Sequence, residues 1–175
     1  MIQVEESIVV ARPRAQVFPV AAHPENMPLW NPAVRESMLV GQLRRGAKVI
    51  QLVEVLGRRF ETEFEVTEYE PGRRVAYTSS GGPLTVEGAM EFRDDRGRTH
   101  VRWIVEGDAR GLIRMAESVL LGMGRPEMRA CLENLRHYVE EGSARPCSPS
   151  PSLSRAAIRM PLRLFGAVGS LVSQR

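Results

Sequence analysis

The sequence predicts an α+β domain in which an antiparallel sheet is covered by a long C-terminal helix. Three observations predict it. Residues 60–67 alternate strictly, with Phe60, Thr62, Phe64 and Val66 on one side and Glu61, Glu63, Glu65 and Thr67 on the other, which is the pattern of a half-buried antiparallel strand. Turn signals then recur at short intervals from Gly41 to Gly97, so strand follows strand. Beyond Gly111 the period changes to three/four, through Leu112, Met115, Ala116, Val119 and Met123 and again through Met128, Leu132, Leu135 and Val139, as an amphipathic helix requires.

Taken in order, residues 3–11 alternate through Val4, Glu6, Ile8 and Val10 and read as a first strand. Pro13 is placed to open a helix at its first position, with Val17, Phe18 and Val20 to Ala22 as its apolar face. His23-Pro24 ends it, because the residue before proline is pushed out of the α region. A short helical turn is expected from Glu25 to Leu29, closed by Trp30-Asn31-Pro32. About six more strands follow, broken at Gly41–Gly46, Gly57, Pro71-Gly72, Gly81–Pro83 and Asp94–Gly97, the last a hairpin. The run Gly122–Pro126 is expected to kink or split the long helix, and Gly142 to stop it.

The domain is therefore drawn at 1–142. Residues 143–152 are a Pro/Ser linker by composition, and 153–175 are a basic amphipathic or disordered tail. A chain of 175 residues suffices for one well-buried core. The sequence pI of about 9.3 hints at nucleic acid, but Arg155, Arg159, Arg163 and Arg175 carry the excess. Without these 4 of the 24 basic residues, 20 remain against 21 acids, so the body is nearly neutral and no nucleic-acid partner is expected. Cys131 and Cys147 form no C-x-x-C pair, and a reducing cytosol fits them best. The start Met1–Glu6 has no basic or apolar leader region, and no run of about 18 apolar residues is present. A cytoplasmic location is expected.

Candidate chemistry is sparse. Gly41–Lys48 has glycines and a lysine in the manner of a phosphate loop, but the lysine is one place late and Val49 follows where Ser or Thr belongs, so a hairpin turn is the better reading. His23, His100 and His137 share no metal spacing, so neither metal nor cofactor is expected. The carboxylates of Glu61, Glu63 and Glu65 lie opposite the phenylalanines and are expected to meet solvent and cross-strand arginines such as Arg73 or Arg74. No G-x-S-x-G elbow is present.

The segments Pro13–Phe18 and His23–Pro32, then Gly57–Glu61, Val66–Val75 and Gly97–Trp103, occur in an order that resembles the polyketide cyclase/dehydrase-like branch of the START/Bet v 1-like (SRPBCC) superfamily, over residues 2–141. The resemblance implies a helix-grip fold: a seven-stranded antiparallel sheet wrapped around the C-terminal helix, with two short helices after the first strand and a hydrophobic pocket between sheet and helix. Periodicity alone does not separate such a pocket from a solid core, and by itself favours solid packing.

On this reading the ligand-binding candidates are Trp30, Phe60, Thr62, Phe64, Tyr77, Phe92, Trp103, Met115, Val119 and Met123, in which aromatics give apolar area and methionines adapt. A cyclase needs oriented polar groups, and this set holds few. Binding of a lipid, polyketide or isoprenoid-like molecule is thus expected first, a cyclase/dehydratase in the same cavity second. Third is an interaction module whose tail, through Arg155, Arg159 and Arg163 at i, i+4 and i+8, contacts a membrane surface or a partner. Pro161 interrupts that helix. The chain is expected to be a monomer or homodimer.

Overall fold

The structure is a computed structural model and describes residues 2–55, 58–79, 85–108 and 114–142. The side chains of Phe60, Met115, Val119 and Met123, the breaks at Gly57 and Gly81–Pro83, the linker 143–152 and the tail 153–175 lie outside what is described.

Seven antiparallel strands form one sheet: β1 Ile2–Val10, β2 Val34–Val40, β3 Lys48–Val55, β4 Arg58–Glu70, β5 Arg74–Ser79, β6 Thr85–Asp95 and β7 Arg98–Asp108. Their order is β1-β7-β6-β5-β4-β3-β2, so the first strand closes beside the last and the rest is a meander. Helix α1 (Arg14–Ala22), a 3-10 turn (Pro24–Asn26) and α2 (Met27–Trp30) follow β1, and α3 (Arg114–Glu141) is the last of the described elements. This is the helix-grip arrangement. Pro13 stands one place before the first helical residue, with extended ψ of 148°, so it precedes α1 instead of opening it.

Local chemistry sets the turns. The β6–β7 hairpin closes through Arg96 and Gly97, with φ of 52° and 84°; both positive values match the right-handed twist of the flanking strands. The Gly41–Gly46 stretch joins β2 to β3, so the phosphate-loop lookalike is a strand connection. In β4 the register shifts between Val66 and Glu68. That bulge moves the inward positions from 62, 64 and 66 to Tyr69, which packs against the core.

Helix α3 is unbroken from Arg114 to Glu141 with Pro126 inside it, so the expected split does not occur. It runs alongside β1. Gly124 sits against Val4, where an added Cβ would lie 3.2 Å from the Val4 methyl. Arg129 meets Glu6 at 3.6 Å, and Glu140 accepts from the Ala11 amide at 2.5 Å. From 124 to 140 the helix rises about 24 Å, and from 4 to 11 the strand covers about 23 Å, so the two keep step. Met128, Cys131, Leu132 and Leu135 are its buried face. Gly142 ends it at φ 71°, its amide bonded to the Tyr138 carbonyl at 2.9 Å.

On the outer face a charge ladder crosses five strands. Arg102 holds both oxygens of Glu5 at 2.6 Å and reaches Glu91 at 3.4 Å. Arg74 joins Glu91 at 2.5 Å to Glu68 at 2.6 Å. The hydrogen bond from Arg102 holds the Glu5 carboxyl below the ordinary carboxylate range. Glu63 pairs with Lys48 at 2.7 Å in place of the arginine that the sequence suggests, because Lys48 is on the neighbouring strand β3 and Arg74 is engaged elsewhere.

Candidate functional site

The concave face of the sheet holds a small apolar cavity of about 30 Å³, room for about one or two waters. Its roof is the end of α1 and the following turn, through Ala21, Ala22, Pro24 and Met27. Its floor is the sheet: Val49 and Gln51 from β3, Phe64 and Val66 from β4, Val75 and Tyr77 from β5, and Met90 from β6. The cavity exists where α1 stops supplying bulk. Phe18 is followed one turn later by Ala21 and Ala22 on the same inward face, so that α1 itself places only methyl groups there.

Two polar side chains stand among this lining. Gln51 is 6% exposed; its Nε2 donates to Ser37 Oγ at 3.1 Å and to Met27 Sδ at 3.0 Å. Tyr77 accepts a hydrogen bond from Trp103 Nε1 at 3.1 Å and meets Phe64 edge-on, centroids 5.8 Å apart at 84°. Tyr77 is half-buried as a whole; desolvation of its hydroxyl pushes the pKa up to about 12, and the Trp103 bond pulls the other way, so Tyr77 is a neutral phenol at pH 7.

Of the residues proposed from the sequence, Phe64 and Tyr77 line the cavity. Trp30 and Trp103 are buried and stacked edge to face at 5.6 Å and 82°, with Trp103 reaching the cavity through its bond to Tyr77. Thr62 is half-buried and donates to the Gln51 carbonyl at 3.4 Å. Phe92 stands apart: it is 2% exposed and packs edge to face on Phe18 at 5.0 Å, in the filled end of the core. Sequence reasoning missed Met27, Val49, Gln51 and Met90. Met27 lies inside the His23–Pro32 segment, and Met90 in the β6 alternation; Gln51 carries no cue, since a glutamine in a strand usually faces solvent.

Two further buried atoms, Trp30 Nε1 and Glu127 Oε2, have no hydrogen-bond partner among the described residues. Among the same residues no group of three or more His, Cys, Asp or Glu could hold a metal ion, and no helix is long and apolar enough to cross a membrane.

This architecture defines a class, the Bet v 1-like proteins that grip a helix in a curved sheet. Residues 1–140 match the model of the family described as polyketide cyclase / dehydrase and lipid transport, and the chain belongs to that family. Among solved structures, a Thermus thermophilus protein is similar with a TM-score of 0.67 at 16% identity, over 81% of this chain and 99% of its own. The Zhui aromatase/cyclase of Streptomyces sp. R1128 has a TM-score of 0.65 at 18% identity, over 81% and 98%. A Deinococcus radiodurans protein has 0.62 at 20%, over 81% and 99%. No curated protein matches the chain.

Proposed function

We propose that residues 1–142 bind and carry a small, largely apolar molecule, of lipid, polyketide or isoprenoid-like character, in the space between the sheet and the helices. One observation carries the reading: the cavity is lined by aliphatic, methionine and aromatic side chains, and its described polar groups are only Gln51 and Tyr77. Neither is charged at neutral pH. Ring closure or dehydration in the same space calls for several oriented groups that polarise carbonyls and move protons, and the described lining offers only one phenol and one amide. Catalysis is therefore the weaker reading.

The cavity, partly open to the outside, is far smaller than the several hundred Å³ of usual ligand sites. Entry of a ligand requires side chains to give way, and Met27 and Met90, from roof and floor, are the residues suited to it: an unbranched thioether has three soft torsions and repacks at little cost. The tail at 153–175, with Arg155, Arg159 and Arg163, would contribute peripheral membrane contact.

The test is native mass spectrometry of the protein purified from its own host, with extraction of whatever is bound. A reproducible apolar adduct is expected, lost in Ala22→Leu, which places side-chain volume in the roof. A clean apo mass for the wild type, with no apolar molecule in the extract, argues for a closed core and an interaction role.

A further inference from the structure

We propose that Tyr77 is the polar anchor of this cavity, donating its hydroxyl hydrogen to a carbonyl oxygen on an otherwise apolar, uncharged ligand. The inference rests on the cavity being a binding site, as proposed above, and names what the site recognises.

The hydroxyl is held but not used up. Its oxygen accepts from Trp103 Nε1 at 3.1 Å, while its own hydrogen has no acceptor among the described residues. A phenol has one hydrogen to give, and accepting a bond on the oxygen polarises the O–H and strengthens the next donation. Trp103 is itself fixed, 7% exposed and edge-on to Trp30.

Position is enforced from below as well. Gly88 is the cross-strand partner of Tyr77, and the ring lies directly over it. A Cβ at Gly88 would stand 2.4 Å from Tyr77 Cε2, 2.7 Å from Cζ and 3.0 Å from Oη. Any other residue there would lift the ring and its hydroxyl off the sheet. A glycine inside a strand weakens it; here that weakness coincides with the seat of the one hydroxyl among the described lining residues.

The surroundings decide the ligand's chemistry. No charged side chain is among the described lining residues, so a carboxylate ligand would shed its water and gain no counter-charge. A pure hydrocarbon would cover the half-buried Tyr77 and offer its hydroxyl hydrogen no acceptor. A ketone, ester or similar carbonyl oxygen meets both conditions. Burial keeps the phenol protonated at neutral pH, so the group facing the ligand is a donor and not a phenolate.

The test uses the full chain and two probes of nearly equal shape, acetophenone and the carbonyl-free ethylbenzene, titrated into wild type and Tyr77→Phe. The bound carbonyl stretch of 13C-labelled acetophenone is read by infrared. Both probes should bind the wild type. Tyr77→Phe should weaken acetophenone about tenfold, leave ethylbenzene within about twofold, and raise the carbonyl stretch as the hydrogen bond is lost. Trp103→Phe keeps the hydroxyl but releases it, and should give a smaller loss of the same kind; it carries the comparison if Tyr77→Phe does not fold. An equal response of the two probes, or an unmoved carbonyl stretch, overturns the anchor and leaves the cavity as a binding site. If neither probe binds the wild type, the cavity reading falls and the anchor with it.

Discussion

At one end of the concave face Phe92 meets Phe18 edge to face at 5.0 Å, and Tyr69 closes on Phe18 at 6.1 Å. At the other end Phe64 meets Tyr77 at 5.8 Å in much the same geometry, yet a cavity remains beside them. The sheet contributes similar residues to both ends. What differs is the cover. One turn of α1 delivers Phe18 to the first end, and the next delivers only Ala21 and Ala22 to the second. Among the described residues, the contrast between the filled and the hollow end therefore follows what α1 places above each: a ring at one, two methyl groups at the other.

The sharpest way to break this comparison is to remove one ring from each end. Phe92→Ala should cost about 3–5 kcal/mol of stability, since it opens a cavity in a closed, well-packed cluster. Phe64→Ala should cost clearly less, because Phe64 is only half-buried and already borders empty space. Urea melts of the two variants measure both. Probe binding should follow the opposite order, with Phe64→Ala altering acetophenone affinity and Phe92→Ala leaving it nearly unchanged. Equal stability losses would mean that the two ends are packed alike and that the cavity is incidental.

Second in size is Gly88→Ala. The added methyl collides with the Tyr77 ring and hydroxyl, so the ring must move or the strands must part, an overpacking cost of about 1–3 kcal/mol. The displaced hydroxyl should also lose its bond to Trp103, visible as a change in tryptophan fluorescence that the double variant Gly88→Ala/Tyr77→Phe does not add to. If Gly88→Ala is neutral in both respects, the close seat of Tyr77 carries no constraint.

These residues also show where sequence reasoning reaches and where it stops. The β4 alternation placed Phe64 inward and Glu63 outward, and turn signals marked where strands break and the Asp94–Gly97 hairpin, because a two-residue period and a left-handed turn residue are local properties; the pairing of β1 with β7 is not local and was not legible in this way. Phe64 and Phe92 have the same signature, each apolar in an alternating strand. The pattern says which face a side chain takes but not which point along the curved sheet, and that point depends on what α1 places opposite. The bulge at Val66 and Glu68 lies beyond the pattern too, for it reverses parity in the middle of a strand. Gly88 reads as one more inward position, and only the cross-strand pairing with Tyr77 gives it a reason. Gln51 turns inward because Ser37 and Met27 satisfy its amide nitrogen, partners that lie 14 and 24 residues away.

The smallest effect expected is also the most specific to the open end. Tyr77 has its pKa pushed from 10.0 up to about 12 by burial. Between those values the unfolded chain has released this proton and the folded chain retains it, so stability falls as pH rises through that window and is unaffected by Tyr77 at neutral pH. At pH 11 the loss should be about 1 kcal/mol, one unit above the unfolded value. It should appear as a difference in urea midpoint between wild type and Tyr77→Phe that opens above pH 10. The phenolate absorbance of Tyr77, obtained by subtracting the variant's titration, should rise only near pH 12. An absorbance that rises near pH 10 would place the hydroxyl in water and remove the desolvation on which this difference rests.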